Sequence, residues 1–128
     1  MKELISAALE ARKYSYSPYS GYSVGAAILC KDGSIFTGCN IENASYGATM
    51  CAERTALFTA VTAGYRDFEA IAIVGGKANE VDLPYPCGIC RQVLSEFCGK
   101  DFKVIVAKST DDFKEHTLGA LLPYSFSL

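Results

Sequence analysis

No stretch of this 128-residue sequence approaches the roughly 18 to 20 consecutive apolar residues that a bilayer-spanning helix needs. Positive charge is not in surplus either. Lys and Arg number 12 against 14 Asp and Glu, which leaves a net charge of -2 and a pI near 5.3. That balance argues against a surface built for nucleic acid, which needs a basic stripe. Repeats, low-complexity tracts and linkers are missing, so residues 1–128 read as one domain of ordinary size. Histidine is almost absent. The single one, His116, follows Lys114 and Glu115 and reads as part of a solvated turn rather than as a metal ligand. No export signal is legible, because Met1-Lys2-Glu3-Leu4-Ile5 carries an acidic residue and leads straight into an amphipathic pattern. A cytoplasmic protein is expected, and its six cysteines are then reduced thiols rather than a disulfide framework.

What is present is an alternation of helical and extended patterns. Residues 3–14 set Leu4, Ile5, Ala8, Leu9 and Ala11 at helical spacing, with Lys2, Glu10 and Lys13 outside the stripe. A tyrosine-rich turn follows at 15–21. Apolar runs at 24–29 and 35–38 flank Asp32-Gly33, a hairpin signal. Residues 40–50 hold neither period and read as a long loop. Helices are expected at about 51–63, stopped by Gly64, and at 88–97, stopped by Gly99. Buried strands are expected at 68–75 and 104–107, with a polar loop at 76–86 and a short helix at 118–122 before the tail. The order α-β-β-α-β-α-β, with continuous apolar runs in the late strands, predicts an α/β fold. It is a three-layer α-β-α sandwich, a mixed sheet covered by helices on both faces.

Two short segments carry the chemistry: Cys51-Ala52-Glu53 and Pro86-Cys87-Gly88-Ile89-Cys90. A lone C-x-x-C holds zinc, forms a disulfide or does nothing. A third cysteine, with a glutamate two residues on, narrows the choice. Three sulfur ligands fill three corners of a tetrahedral zinc ion and leave the fourth for water, the layout of a catalytic rather than a structural centre. Glu53 is then the proton carrier for that water. The x-x-E…P-C-x-x-C pattern is the zinc deaminase signature in a three-cysteine form. Tetrahedral sulfur coordination favours zinc, one ion per chain. Cys30 and Cys39 lie in extended runs and Cys98 closes a helical one, so these read as small buried hydrophobes.

Both segments are expected at helix N-termini, where free N–H groups and partial positive charge favour thiolates. Residues two apart on a helix normally face different ways. At an end-on terminus Cys51 and Glu53 can both reach one atom at the rim. Three thiolates leave a zinc centre net negative, which blunts its power to acidify water. Arg54 follows the glutamate directly, and its expected role is to donate hydrogen bonds to one or two of the cysteine sulfurs. The competing reading of Arg54 is an exposed helical arginine.

With these motifs in hand, the chain resembles the small, homotetrameric, zinc-dependent type of cytidine deaminase, over essentially its full length. The resemblance is carried by residues 19–27 (YSGYSVGAA), Gly38-Cys39-Asn40-Ile41-Glu42-Asn43, residues 51–56 (CAERTA), the P-C-G-I-C-R-Q run from Pro86, and Leu121-Leu122-Pro123. It implies hydrolytic deamination of cytidine and 2′-deoxycytidine to uridine and 2′-deoxyuridine in pyrimidine salvage, by attack at C4 of the base. The implied partners are a nucleoside and three further copies of the chain, with no nucleic acid and no membrane. Asn40 and Glu42 would bind the ribose, chiefly its 3′-hydroxyl. The Ala52 amide and the Glu53 carboxylate would contact the base, and Tyr22 would lie against it. Many relatives carry Phe at Tyr22. A tyrosine ring stacks equally well, but its hydroxyl needs a partner. Phe126 of a neighbouring subunit would stack near the pyrimidine, while Ala44 and Tyr46 would approach another subunit's site.

Three rivals are weighed against this reading. A structural zinc module would want a fourth Cys or His and would have no use for Glu53; Cys39 and Cys98 lack motif spacing. A deaminase of bases in RNA or DNA would need a basic channel for phosphates. A deaminase of a nucleoside antibiotic such as blasticidin S shares the zinc motif, but here the N-x-E ribose motif is intact.

Overall fold

The amphipathic N-terminal stripe folds as α1 (Lys2–Arg12), burying Leu4, Ile5, Ala8 and Ala11. A computed structural model describes all 128 residues of the chain. After α1 come β1 (Tyr22–Cys30), β2 (Ile35–Cys39), a single 3-10 turn at Tyr46–Ala48, and α2 (Ala52–Thr62). Then follow β3 (Phe68–Lys77), α3 (Gly88–Phe97), β4 (Lys103–Ala107), β5 (Phe113–Thr117) and the short α4 (Leu118–Leu121). The Asp32-Gly33 turn closes the first hairpin, with Asp32 Oδ1 accepting from Ser34 N at 2.9 Å and Gly33 N donating to Cys30 O at 3.0 Å.

The strands form one mixed sheet in the order β2-β1-β3-β4-β5. β1 runs antiparallel to β2 and β3, β3 is parallel to β4, and β4 is antiparallel to β5. The parallel pair needs a crossover, and α3 supplies it. Strand alternation sends Ala27, Ala70, Ala72, Val74, Ile105 and Ala107 to the face covered by α1. The opposite face carries Ala26, Ile28, Ile71, Ile73 and Val104 against Ala52, Ala56, Leu57 and Ala60 of α2 and Leu94 of α3. Both faces of the sheet are therefore buried, which is why its central strands are apolar at every position rather than at every second one. The expected three-layer α/β sandwich is the fold.

One close approach fixes where α2 begins. A Cβ at Gly38 would stand 2.4 Å from the Ala56 amide nitrogen and 2.7 Å from Thr55 Cβ. Only glycine lets α2 sit directly on β2, and that seating sets the direction of its N-terminus.

The sequence reading departs from the structure at three places. β1 starts at Tyr22 and β3 runs on to Lys77, so the strands outlast their apolar runs; Tyr22 and Ser23 pair with Lys77 and Gly76 through backbone alone. Residues 113–117 form a fifth strand that was not expected. Phe113-Lys114-Glu115-His116-Thr117 is an edge strand, exposed along most of its length, so no alternation of apolar residues marks it. His116 accordingly sits on β5, opposite Val104, and not in a turn. No helix is long and apolar enough to cross a membrane.

Candidate active site

Cys51 and Cys87 occupy equivalent places, each the N-cap of a helix and each extended, with φ -75, ψ 152 and φ -67, ψ 168. Because Cys51 lies outside the helix proper, the two-residue spacing to Glu53 does not turn the side chains apart, and both line one cleft. Cys90 lies in the first turn of α3 and is fully buried. The three sulfurs lie within 4.8 Å of one another, with Cys51 Sγ and Cys87 Sγ 4.0 Å apart. Sulfurs at two corners of a tetrahedral zinc ion, each about 2.3 Å from the metal, stand about 3.8 Å apart. The donor set and its spacing therefore fit such an ion.

The electrostatics of the cluster fit as well. Cys51 is pulled well below the ordinary thiol value, first by the hydrogen bond from the Cys90 thiol and then, against the opposing effect of burial, by Arg54. Cys90 is raised in turn, chiefly because its proton is held by the Cys51 sulfur. Arg54 Nη2 donates to Cys51 Sγ at 3.1 Å, and its Nε is buried with no partner. Cys87 Sγ accepts from the Cys90 amide at 3.5 Å, as an N-cap does.

Glu53 is buried, 5% exposed, without a cation in ion-pair contact. Burial pushes its carboxyl up to about 7, and the nearby Cys51 adds to the shift. A carboxyl poised there can take and give a proton near neutral pH.

The cleft beside these groups has a volume of about 410 Å³. Asn40 and Glu42, both buried, also line it. Asn40 locks β2 to β1: Oδ1 accepts from Val24 N at 2.9 Å and from the Ser15 hydroxyl, and Nδ2 donates to Tyr22 O at 2.8 Å. Glu42 accepts from Tyr19 N at 2.9 Å, Ser20 N at 3.1 Å and Ser20 Oγ at 2.5 Å. The Ser20 hydroxyl leads these donors in holding the Glu42 carboxyl below its ordinary value. It is an ionised acceptor aimed from the loop into the cleft.

Tyr22, Tyr46 and the start of α2 at Ala52 also line this space. Tyr46 packs edge-on against Tyr19, ring centres 6.2 Å apart. Ala44 and Phe126 do not line the cleft of their own chain; both are exposed. Phe126 is held only through its carbonyl, which accepts from Gln92 Nε2 at 3.0 Å. Cys30, Cys39 and Cys98 stand apart from the cluster and are raised by burial, Cys98 to about 12.

Sequence reasoning missed one wall entirely. Leu83, Pro84 and Tyr85 line the cleft along with Tyr22 and Val24, and Ser20, Thr49 and Met50 complete it. The Tyr85 hydroxyl lies 3.1 Å from His116 Nε2, so the edge strand supports the rim of the cleft. Residues 76–86 carry no periodicity, and only the Pro84 and Pro86 flanking Tyr85 hint at a rigid segment.

Residues 1–107 match the cytidine and deoxycytidylate deaminase zinc-binding region. The cytidine deaminase of Halalkalibacterium halodurans is 52% identical over 124 residues, covering 97% of this chain and 92% of the relative. That of Sporosarcina psychrophila is 46% identical over 127 residues, covering 99% and 91%. The crystal structure of cytidine deaminase from Burkholderia pseudomallei superimposes with a TM-score of 0.88 at 48% identity, covering 97% of each chain. By its sequence, its fold and its cluster of three thiols, the chain belongs to the cytidine and deoxycytidylate deaminase family.

Proposed function

We propose that residues 1–128 form a single catalytic domain that hydrolytically deaminates cytidine and 2′-deoxycytidine to uridine and 2′-deoxyuridine, in pyrimidine salvage. One observation carries this reading: a single cleft is lined by Cys51, Cys87 and the buried Glu53, with the Cys90 sulfur beside theirs, and also by the buried Asn40 and Glu42. The first set suits hydrolysis at an amidine-like carbon, and the second suits a sugar hydroxyl. Their relatives' names point the same way.

Cys51, Cys87 and Cys90 would hold one zinc ion. When bound, it supplies the Lewis acidity that makes water a nucleophile near neutral pH. Glu53 takes the proton from the attacking water and passes protons to the ring nitrogen and to the leaving amine. The C4–N bond breaks, the C4 carbonyl forms, and ammonia departs. The Ala52 amide and the Tyr22 ring position the base, while Asn40 and Glu42 take the 3′-hydroxyl. Asn40 has a second Nδ2 proton available for that purpose, whereas Glu42 Oε1 already accepts from Tyr19 N and Ser20 N, so the sugar hydroxyl would take the place on Oε2 that the Tyr46 hydroxyl holds at 3.5 Å. Arg54 offsets the negative charge of the three thiolates.

The assembly we propose is a homotetramer whose sites are completed by neighbours, with Phe126, Ala44 and Tyr46 reaching across. Support comes from the exposure of Phe126, Tyr124 and Tyr46, and from an apolar groove lined by Ile41, Met50 and Phe58. A cytoplasmic location suits six unpaired thiols. The acidic balance favours a free nucleoside over a nucleic acid.

The test is ammonia release from the zinc-loaded protein offered cytidine, deoxycytidine, CMP, a cytidine-containing oligonucleotide and blasticidin S side by side. Turnover confined to the two nucleosides is expected. Turnover of the oligonucleotide or of the antibiotic alone would overturn the substrate assignment.

A further inference from the structure

The wall formed by Leu83, Pro84 and Tyr85 has its root on the opposite face of the sheet from the thiols. After β3, the chain folds back on itself: Glu80 N donates to Lys77 O at 2.8 Å, and Asp82 N donates to Gly75 O at 2.7 Å. Asn79 adopts φ 61, and a Cβ at Gly76 would lie 2.5 Å from Glu80 O. The fold-back is therefore tight against the end of β3. Three residues after Asp82 the chain reaches Tyr85, and two residues later Cys87.

One side chain from α1 gathers this fold-back. Arg12 Nη2 donates to Gly76 O at 3.0 Å, to Lys77 O at 3.4 Å and to Glu80 O at 2.5 Å. Its Nε donates to Ser23 O at 3.0 Å. Ser23 is the register partner of Gly76 and stands between Tyr22 and Val24, the two β1 residues that line the same cleft. Arg12 forms no ion pair; the chain's two salt bridges are Lys2–Asp111 and Lys13–Glu10. Its Nε and Nη2 donors are spent on carbonyls from β1, β3 and the fold-back. A guanidinium presents its donors in a rigid planar fork, which suits several acceptors in fixed directions; an ammonium does not.

We infer that Arg12 is a positioning residue for the proposed nucleoside site: from behind the sheet it sets the separation of the Tyr22/Val24 wall from the Leu83–Tyr85 wall. It touches neither substrate nor metal. The inference rests on the cytidine reading for its substrate, but the geometry of the two walls is independent of what fills the cleft. Arg12 lies outside the motifs that mark the chemistry, and only the pairing of β1 with β3 brings it to residues 64 to 68 positions away.

The experiment uses full-length, zinc-loaded Arg12→Lys and Arg12→Gln with Lys13→Gln as a neighbouring control, Lys13 being exposed and bound only to Glu10. Steady-state kinetics on cytidine are paired with amide hydrogen exchange. KM is expected to rise on the order of tenfold in both Arg12 variants, with kcat changed far less and zinc still at one per chain. The amides of Glu80 and Asp82 exchange faster in the same variants, while the Ala72 and Val74 amides in the middle of β3 do not. Lys13→Gln changes neither. A KM within twofold of the parent in a folded, zinc-loaded Arg12 variant overturns the inference. So does acceleration of all amides together, which marks Arg12 as a general stabiliser. If the parent itself does not act on cytidine, the substrate reading fails while the exchange result still decides the role of Arg12.

Discussion

Arg54 Nη2 donates to Cys51 Sγ at 3.1 Å, across three residues of the same helix start. The contact follows from placing a cysteine at the N-cap and an arginine in the first turn, where residues three apart are neighbours. A guanidinium at that distance favours the thiolate and offsets negative charge on a three-sulfur site. Arg54→Ala is expected to weaken zinc retention about 10–100-fold, the usual effect of removing a group that supports a metal ligand. Competition with a chromophoric chelator reads this directly, and unchanged retention together with an unchanged pH–rate profile would refute the role.

Glu53 is the buried carboxyl beside the Cys51 thiol, and its replacement separates chemistry from binding. Glu53→Gln keeps the shape and removes the titrating proton. Turnover should fall about 10²–10⁴-fold or more, with zinc content and fold retained. Near-parental turnover in a zinc-loaded variant would mean another group moves the proton.

Glu42 gives a pH dependence of stability whose sign follows from its donors. Its carboxyl is held below the ordinary value of 4.5, led by the Ser20 hydroxyl. A carboxyl with a lower pKa in the folded than in the unfolded state stabilises the fold above the unfolded value. That contribution is lost as pH falls through the folded value. The Tm difference between the parent and Glu42→Gln should therefore be widest at about pH 6–7 and close progressively below about 4.5. Thermal melts across that range check it; a gap that widens on acidification would reverse the assignment. The same variant should also raise KM for cytidine.

Metal removal should sort the six cysteines into two groups. Cys51 and Cys87 line the cleft, whereas Cys90 is fully buried and Cys30, Cys39 and Cys98 are raised by burial, Cys98 to about 12. A thiol kept protonated is a poor nucleophile. With zinc bound, alkylation at neutral pH should be slow throughout. After chelation Cys51 and Cys87 should react, and the other group only on unfolding. Peptide mapping by mass spectrometry distinguishes the outcomes, and early labelling of Cys98 would contradict its burial.

Local chemistry was legible from the sequence alone. Cys51 and Cys87 read as helix openers because capping is settled by the few residues around the turn, and both are N-caps in the fold. The buried strands announced themselves because β1, β3 and β4 are apolar on both faces, which only a sheet covered on both sides requires. The same logic left β5 silent, since an edge strand with both faces mostly exposed has no hydrophobic pattern to display. Tertiary structure alone decided which distant groups meet. Sheet order and the seating of α2 on Gly38 bring Cys51 to 4.0 Å from Cys87, 36 residues on. The Leu83–Tyr85 wall and the reach of Arg12 to Glu80 arise from β1–β3 register, a pairing between segments some 50 residues apart. Sequence pattern encodes which face of each element is buried; backbone pairing and helix seating determine which side chains the burial brings together.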